Sequence, residues 1–257
     1  MKTSLGLLLA ALGTVSQSQA ASVFFSQAVD ALGAPVGGLT GSAGLPVYAP
    51  IRETEISQIL GYAEVTLGAT SGISAQPAAY PLNDGTDTYI YQQVAAGVNA
   101  FTTLNFRFVS SGGNGLPVPA TTIGVSELYV RVDGRGYSGG GGFVTTDETN
   151  TLSLAGSQPA SWEVVSDLGI INDSITDGVL TYEASAALNN VAQFIEWRAF
   201  DPEGDESITG LSWRLDNNGG SLNGTHLQID LSPIPEPSTL MIAGAGLMIA
   251  GLRRRRF

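Results

Sequence analysis

The 257-residue chain contains no cysteine and a single histidine, His226. Disulfide bonds therefore cannot stabilise its fold, and the chain cannot supply the several nitrogen or sulfur ligands of the usual zinc sites. A Ser-His-acid triad would have to use His226, which strand alternation places on a solvent face. No lysine lies between residues 21 and 234, so Schiff-base chemistry has no interior nucleophile. These absences predict a non-enzymatic protein.

Positive charge is also scarce. The formal net charge is −12, from 23 acidic and 11 basic residues. Lys2 and the four terminal arginines account for five of the basic residues, which leaves six arginines among the 22 carboxylates between residues 21 and 234. Because phosphate binding needs a basic stripe, we expect no nucleic-acid partner. The composition does not exclude a glycosidase, because that activity needs only two carboxylates about 5 to 10 Å apart.

The first twenty residues have the three parts of a secretory signal peptide. Lys2 gives a positive start, residues 5–15 form an apolar stretch, and Ser18-Gln19-Ala20 is a small-x-small cleavage site. We therefore predict that residues 1–20 are a signal peptide and that cleavage follows Ala20.

The C-terminal end predicts a short membrane helix. Residues 233–237 contain three prolines and form a stiff, extended spacer. The uncharged, mostly apolar stretch 239–252 follows, and a helix starting at Ser238 would rise about 22 Å, less than the ~30 Å hydrocarbon core. The positive-inside rule retains the closing arginines and Lys2 in the cytoplasm and places the part of the chain between the two apolar segments outside the inner membrane. The arginines of this tail are Arg253, Arg254, Arg255 and Arg256.

These features together resemble the PEP-CTERM sorting signal of exported bacterial proteins, over residues 233–257. The resemblance is carried by Pro235, Glu236 and Pro237, by the short apolar helix and by the arginine tail. It implies a Gram-negative host that makes extracellular polysaccharide, recognition by an exosortase, and transient residence in the inner membrane. It also implies cleavage near the Pro-Glu-Pro element and delivery to the cell surface or extracellular matrix. Proteins that share this tail differ in their exported domains, so the resemblance implies no fold for residues 21–232.

Alternating apolar residues predict that residues 21–232 form an antiparallel, jelly-roll-like β-sandwich. Weaker strand patterns lie at 88–94, 162–165 and 179–183, for a total of about eight to ten strands. Close spacing of the last three strands predicts a meander, and residues 53–63 suggest either one short helix or a strand. The five clear strands bury Leu104, Phe106 and Phe108; Leu128, Val130 and Val132; Ile195, Trp197 and Ala199; Leu211, Trp213 and Leu215; and Leu227, Ile229 and Leu231.

Two clusters are candidate binding sites. Hard cations such as Ca²⁺ prefer oxygen ligands on a turning loop, and an acidic run between two late strands offers them. The spacing fits no EF-hand loop, so a solvated hairpin loop is the favoured alternative. Its carboxylates are Asp201, Glu203, Asp205 and Glu206. Trp162, near Pro159, is the candidate for stacking on a sugar ring, whereas Trp197 and Trp213 share a face with core residues. We expect no cofactor, and calcium at this run is the one candidate ligand.

Together these observations predict an exported, non-enzymatic surface or matrix protein that is sorted by an exosortase and associated with exopolysaccharide. The alternative is a carbohydrate-binding, lectin-like module or a carbohydrate-active hydrolase. A cleft holding two carboxylates beside an exposed tryptophan would favour the hydrolase, and a shallow aromatic platform would favour binding alone.

Overall fold

The computed structural model describes most of residues 20–231. The described ranges are 20–36, 46–54, 57–71, 78–81, 88–94, 99–133, 148–156, 161–166, 171–184, 194–203, 207–218 and 223–231. Within them the protein has fifteen β-strands and one 3-10 helix, Phe25–Gln27. The strands are β1 (Ala21–Val23), β2 (Val47–Arg52), β3 (Gly61–Ser71), β4 (Ala78–Pro81), β5 (Tyr89–Val94), β6 (Ala100–Ser111), β7 (Pro117–Thr122), β8 (Glu127–Asp133), β9 (Glu148–Gly156), β10 (Ser161–Ser166), β11 (Ile171–Thr176), β12 (Val179–Ala184), β13 (Phe194–Phe200), β14 (Ile208–Asn217) and β15 (Asn223–Leu231).

Antiparallel pairing joins all these strands into one sheet. The main path runs β10-β13-β8-β15-β1-β2-β3-β6-β14-β9-β12-β11. Off this path, β5 pairs with β15 and β4, and β7 pairs with β6. The short strands β1 and β2 connect one half of the sheet, centred on β8 and β15, with the other half, centred on β6 and β14.

Aromatic contacts bring the two ends of this path face to face. Trp197 on β13 stacks on Tyr182 of β12, with ring centroids 4.6 Å apart. Its indole N–H also donates to Asp173 Oδ2 on β11 at 3.0 Å. Trp162 on β10 donates its indole N–H to the carbonyl oxygen of Gly178, between β11 and β12, at 3.0 Å. The sheet therefore folds over itself, and the predicted all-β, antiparallel sandwich is confirmed.

The predicted alternation is confirmed in the five clear strands. In β6, for example, Leu104, Phe106 and Phe108 are almost fully buried, while Arg107 is exposed. In the other four strands the side chains that the pattern predicts to be buried are buried, but Glu196 on β13 and His226 and Gln228 on β15 are buried on the opposite face as well. Phe25 of the 3-10 helix meets Phe106 edge to face, with centroids 5.9 Å apart, and so packs this helix on the same core. Alternation thus identifies the inner face of a strand correctly.

Two local predictions are corrected. The strands over residues 194–231 do not form a meander, because β13 pairs with β8 and β10, β14 with β6 and β9, and β15 with β8, β1 and β5. Alternation indicates which face is buried but carries no information about the neighbouring strand. Of the described residues in 53–63, only those from Gly61 onward form a strand, where β3 begins, and 53–54 and 57–60 are irregular.

The first and last strands are neighbours in the sheet. Ala21 on β1 lies opposite Leu231 on β15, and both side chains are fully buried. Ser22 donates its hydroxyl proton to Asp230 Oδ1 at 2.5 Å. Within the described ranges, no helix is long and apolar enough to span a membrane. Apart from Ala20, the predicted signal peptide lies outside these ranges, as does the predicted membrane helix, and both stay predictions.

Candidate functional site

His226 is buried, so the prediction that it faces solvent is wrong. The residue is 1% exposed, and its ring meets that of Tyr89 edge to face with centroids 5.0 Å apart. The physical reason is the pairing of β15 with β5, which places Tyr89 diagonally across from His226 on the same face of the sheet. An imidazole packed in this way does not meet a substrate arriving from solvent.

Trp162 is also buried, at 5% exposure, and the prediction that it stacks on a sugar ring is wrong. Its indole N–H is used in the bond to Gly178 that joins the two ends of the sheet. Trp197 and Trp213 are fully buried, as predicted. Trp213 donates its indole N–H to Asn150 Oδ1 at 2.9 Å. All three tryptophans therefore pack in the hydrophobic core.

The acidic run is only partly within the described ranges. Asp201 is 6% exposed, and its Oδ1 accepts the backbone N–H of Glu203 at 2.9 Å. Asp205 and Glu206 lie outside the described ranges. Among the described residues, no three His, Cys, Asp or Glu side chains are grouped so as to hold a metal ion. Calcium binding by this run stays a prediction.

One outer face of the sandwich carries paired charges. Arg198 on β13 bridges Glu163 on β10, at 2.8 Å, and Glu127 on β8. Arg131 on β8 pairs with Glu196 on β13 at 3.0 Å. Hydrogen bonding to the two carboxylates raises the pKa of Arg198 above its ordinary value. We call this surface the charged face, and each of its two arginines is neutralised by its own carboxylates.

The other outer face is built mainly from hydroxyl side chains. The register places Thr103 (β6), Arg214 (β14), Thr151 (β9), Thr181 (β12) and Ser174 (β11) in one transverse row. These side chains are half-buried or exposed. Rows on either side add more residues of the same kind, and we call the surface the hydroxyl face. Its Ser, Thr and Asn members are Thr103, Asn105, Thr149, Thr151, Ser153, Ser174, Thr176, Thr181 and Ser212.

The charges on the hydroxyl face are also satisfied locally. Arg214 pairs with Asp216 at 2.6 Å, and its guanidinium lies over the ring of Phe101, 3.8 Å from the centroid. Glu183 Oε1 accepts the hydroxyl proton of Thr149 at 2.7 Å. The face therefore presents hydroxyl groups, and the described cations on or beside it, Arg214 and Arg107, are each paired with a carboxylate.

This face was not predicted, although part of its signal is visible in the sequence. Thr149, Thr151 and Ser153 alternate along β9, with Asn150 and Leu152 between them. Asn150 is fully buried, so a buried polar residue interrupts the apolar alternation that would have revealed β9 as a strand. The neighbours of β9 depend on long-range pairing, which no local pattern encodes.

A buried tyrosine links two strands at the edge of the second half of the sheet. Tyr48 on β2 donates its hydroxyl proton to Glu64 Oε1 at 3.0 Å, and Glu64 forms an ion pair with Arg107 at 2.6 Å. Burial, together with the hydrogen bond to Glu64, raises the pKa of Tyr48 to about 12. Burial also raises the pKa of Tyr62 and Tyr182.

We therefore expect the protein to lose stability at alkaline pH. Between pH 10 and 12 the unfolded chain releases the phenolic proton of Tyr48 while the folded protein retains it, so the free energy of unfolding falls as pH rises. For Tyr48 alone, the unfolding equilibrium constant should rise about tenfold per pH unit in this window. Urea titrations at a series of pH values measure it. Tyr48→Phe should give a shallower pH dependence, and an unchanged slope would contradict the assignment.

Comparison with known proteins finds a match at the C-terminal end. The sequence model of the PEP-CTERM protein-sorting motif matches residues 233–256, so the chain carries this motif where it was predicted. A PEP-CTERM motif implies export, sorting to the cell surface, and an exosortase as processing partner. No curated protein matches the chain.

The comparison with solved structures returns one match. It is the structure of the glucan-binding protein C of Streptococcus mutans, described as mediating sucrose-independent and sucrose-dependent adherence. The TM-score is 0.42 and the sequence identity is 9%, over 79% of this chain and 65% of that one. The chain thus spans just under two thirds of the length of that protein.

Proposed function

We propose that the chain is an exported, non-enzymatic protein of the cell surface or extracellular matrix, associated with exopolysaccharide. An exosortase would cut it near Pro235, Glu236 and Pro237, and the inner membrane would hold the precursor only transiently. The observation that best supports this proposal is the sorting motif at residues 233–256.

The fold is compatible with a cut at this place. The last strand, β15, ends at Leu231, which is buried and lies opposite Leu128 on β8 and Ala21 on β1. The motif starts two residues later, so cleavage there leaves all fifteen described strands in the domain. Four residues span at most about 14 Å, so the cut would fall within that distance of the folded domain.

The interior supports a non-enzymatic role. The only histidine of the chain, His226, is buried against Tyr89, and the tryptophans that could have flanked a sugar cleft are buried in the core. The described arginines of both outer faces are paired with carboxylates of the same faces. These side chains are used for packing and for charge neutralisation, which supports a structural or binding role.

Alanine substitution of Pro235, Glu236 and Pro237 together should hold the protein in the inner membrane. The uncut chain would keep its apolar segment and its arginine tail, and it should fractionate with membranes. The wild-type protein on the cell surface should instead end near Pro235. Fractionation followed by intact-mass spectrometry measures both results.

The matched control is Ser232→Ala combined with Pro233→Ala, which alters the same spacer but leaves the Pro-Glu-Pro element intact. This control should be processed and released like the wild type. Recovery of wild-type surface protein with its C-terminal Phe257 intact would refute processing at this element.

A further inference from the structure

The hydroxyl face is a regular array of hydrogen-bonding groups. Its central row crosses five adjacent strands and is about 19 Å long at ~4.8 Å per strand. Along each strand, outward side chains repeat every ~6.8 Å. Thr103, Thr151 and Thr181 are half-buried on this face, and none of the hydrogen bonds found for the described side chains uses their hydroxyls. They are therefore available to a ligand that lies on the face.

The chemistry of this surface selects a neutral ligand. Each hydroxyl both donates and accepts a hydrogen bond, which matches the hydroxyl groups of a sugar chain. Arg214, the cation of the central row, is already paired with Asp216 and stacked on Phe101. With a net charge of −12 and no lysine between residues 21 and 234, the protein repels polyanions at a distance.

A second copy of the chain fits the surface less well. Stable self-association needs a buried apolar centre, and among its described side chains the face offers only Phe101 and Val179, which lie in different outer rows. The half-buried hydroxyls would lose water on such contact without gaining a matched partner. A hydrated sugar polymer instead replaces water by groups of the same kind, either directly or through bridging waters.

We propose that the hydroxyl face binds a neutral polysaccharide laid across strands β6, β14, β9, β12 and β11. This inference rests on the proposed association with exopolysaccharide and assigns it a surface and a chemical class of ligand. Many weak hydrogen bonds, repeated along the polymer, would supply the binding. Because no net charge pairing is involved, affinity should change little between roughly 50 and 500 mM NaCl.

The test uses affinity electrophoresis of the full-length chain, in a zwitterionic detergent without a sugar headgroup. The neutral probes are dextran and laminarin, and the anionic probe is alginate. Thr151→Val combined with Thr181→Val removes two neighbouring hydroxyls and keeps the β-branched shape that suits a strand. The loss of two hydrogen bonds should weaken retardation by the neutral probe about tenfold.

The matched control is Thr121→Val combined with Thr122→Val on β7, where both residues are exposed and lie outside the hydroxyl face. Its retardation should equal that of the wild type. The inference is overturned if neither neutral probe retards the wild type, if the Thr151/Thr181 variant binds like the control, or if alginate binds as well as the neutral probes. Loss of a dimer in the Thr151/Thr181 variant, seen by sedimentation, would also overturn it and assign the face to self-association.

Failure here and failure of the proposed sorting are distinguishable. A surface form that ends near Pro235 but binds no neutral polysaccharide would overturn this inference alone. An intact Phe257 together with retained polysaccharide binding would refute processing and leave the hydroxyl face in place.

Discussion

Replacing Trp197 by alanine should lower the free energy of unfolding by about 3 to 5 kcal/mol, the usual cost of truncating a large, fully buried aromatic residue. Three losses combine at this position: the packed volume, the stacking on Tyr182, and the bond from the indole N–H to Asp173. The stacking and the hydrogen bond join β13 to β12 and β11, which lie at the opposite end of the sheet path. Urea unfolding followed by far-ultraviolet circular dichroism measures the change.

Two companion variants separate these losses. Trp197→Phe keeps an aromatic ring against Tyr182 and removes only the bond to Asp173 and part of the packed volume. It should therefore lower the free energy of unfolding by less than Trp197→Ala does. Val165→Ala on the neighbouring β10 changes a side chain that is 50% exposed and should alter stability by less than about 0.5 kcal/mol. If Trp197→Ala unfolds at the same urea concentration as Val165→Ala, the two ends of the sheet do not depend on this contact.

Gly210→Ala should be the second most damaging substitution. Gly210 lies where the pairing of β14 with β9 shifts register, and a Cβ atom there would stand 2.2 Å from the carbonyl oxygen of Phe106. That oxygen belongs to the backbone of β6 and cannot rotate away. The strands would have to separate, and we expect a loss of about 2 kcal/mol or more, measured by thermal and urea unfolding.

Gly113 provides the control for this substitution. It lies in the connection between β6 and β7, and a Cβ atom there would meet no other atom within 4 Å. Gly113→Ala should therefore be neutral or slightly stabilising, because it restricts the unfolded chain. Equal melting temperatures for the Gly113 and Gly210 variants would show that β14 adapts to the extra methyl group.

Sequence patterns predicted strands with one apolar and one polar face, and failed where both faces are covered. β6 and β13 alternate clearly because solvent lies on one side. The first five residues of β3 are all buried, including Tyr62 and Glu64, so no alternation is visible there. His226 was misplaced for the same reason, because an aromatic side chain on β5 covers what the pattern treated as an outer face.

The candidate site was less predictable than the fold. The hydroxyl face is assembled from residues as far apart as Thr103 and Ser212, whose strands meet only through pairing distant in sequence. Trp162 was misjudged because its burial depends on Gly178, in a turn at the opposite end of the sheet path. The sorting motif, by contrast, is contiguous, so its residues could be recognised without any tertiary information.

The position of β15 determines how the domain would respond to mechanical tension. Any attachment through the C-terminal tail pulls on Leu231, at the end of a strand hydrogen-bonded to β8, β1 and β5. Antiparallel hydrogen bonds run perpendicular to the strands, so tension along β15 shears many of them at once. An edge strand peeled from its end would release them one at a time. A protein tethered through this strand should therefore resist drag from flowing medium better than its equilibrium stability alone would suggest.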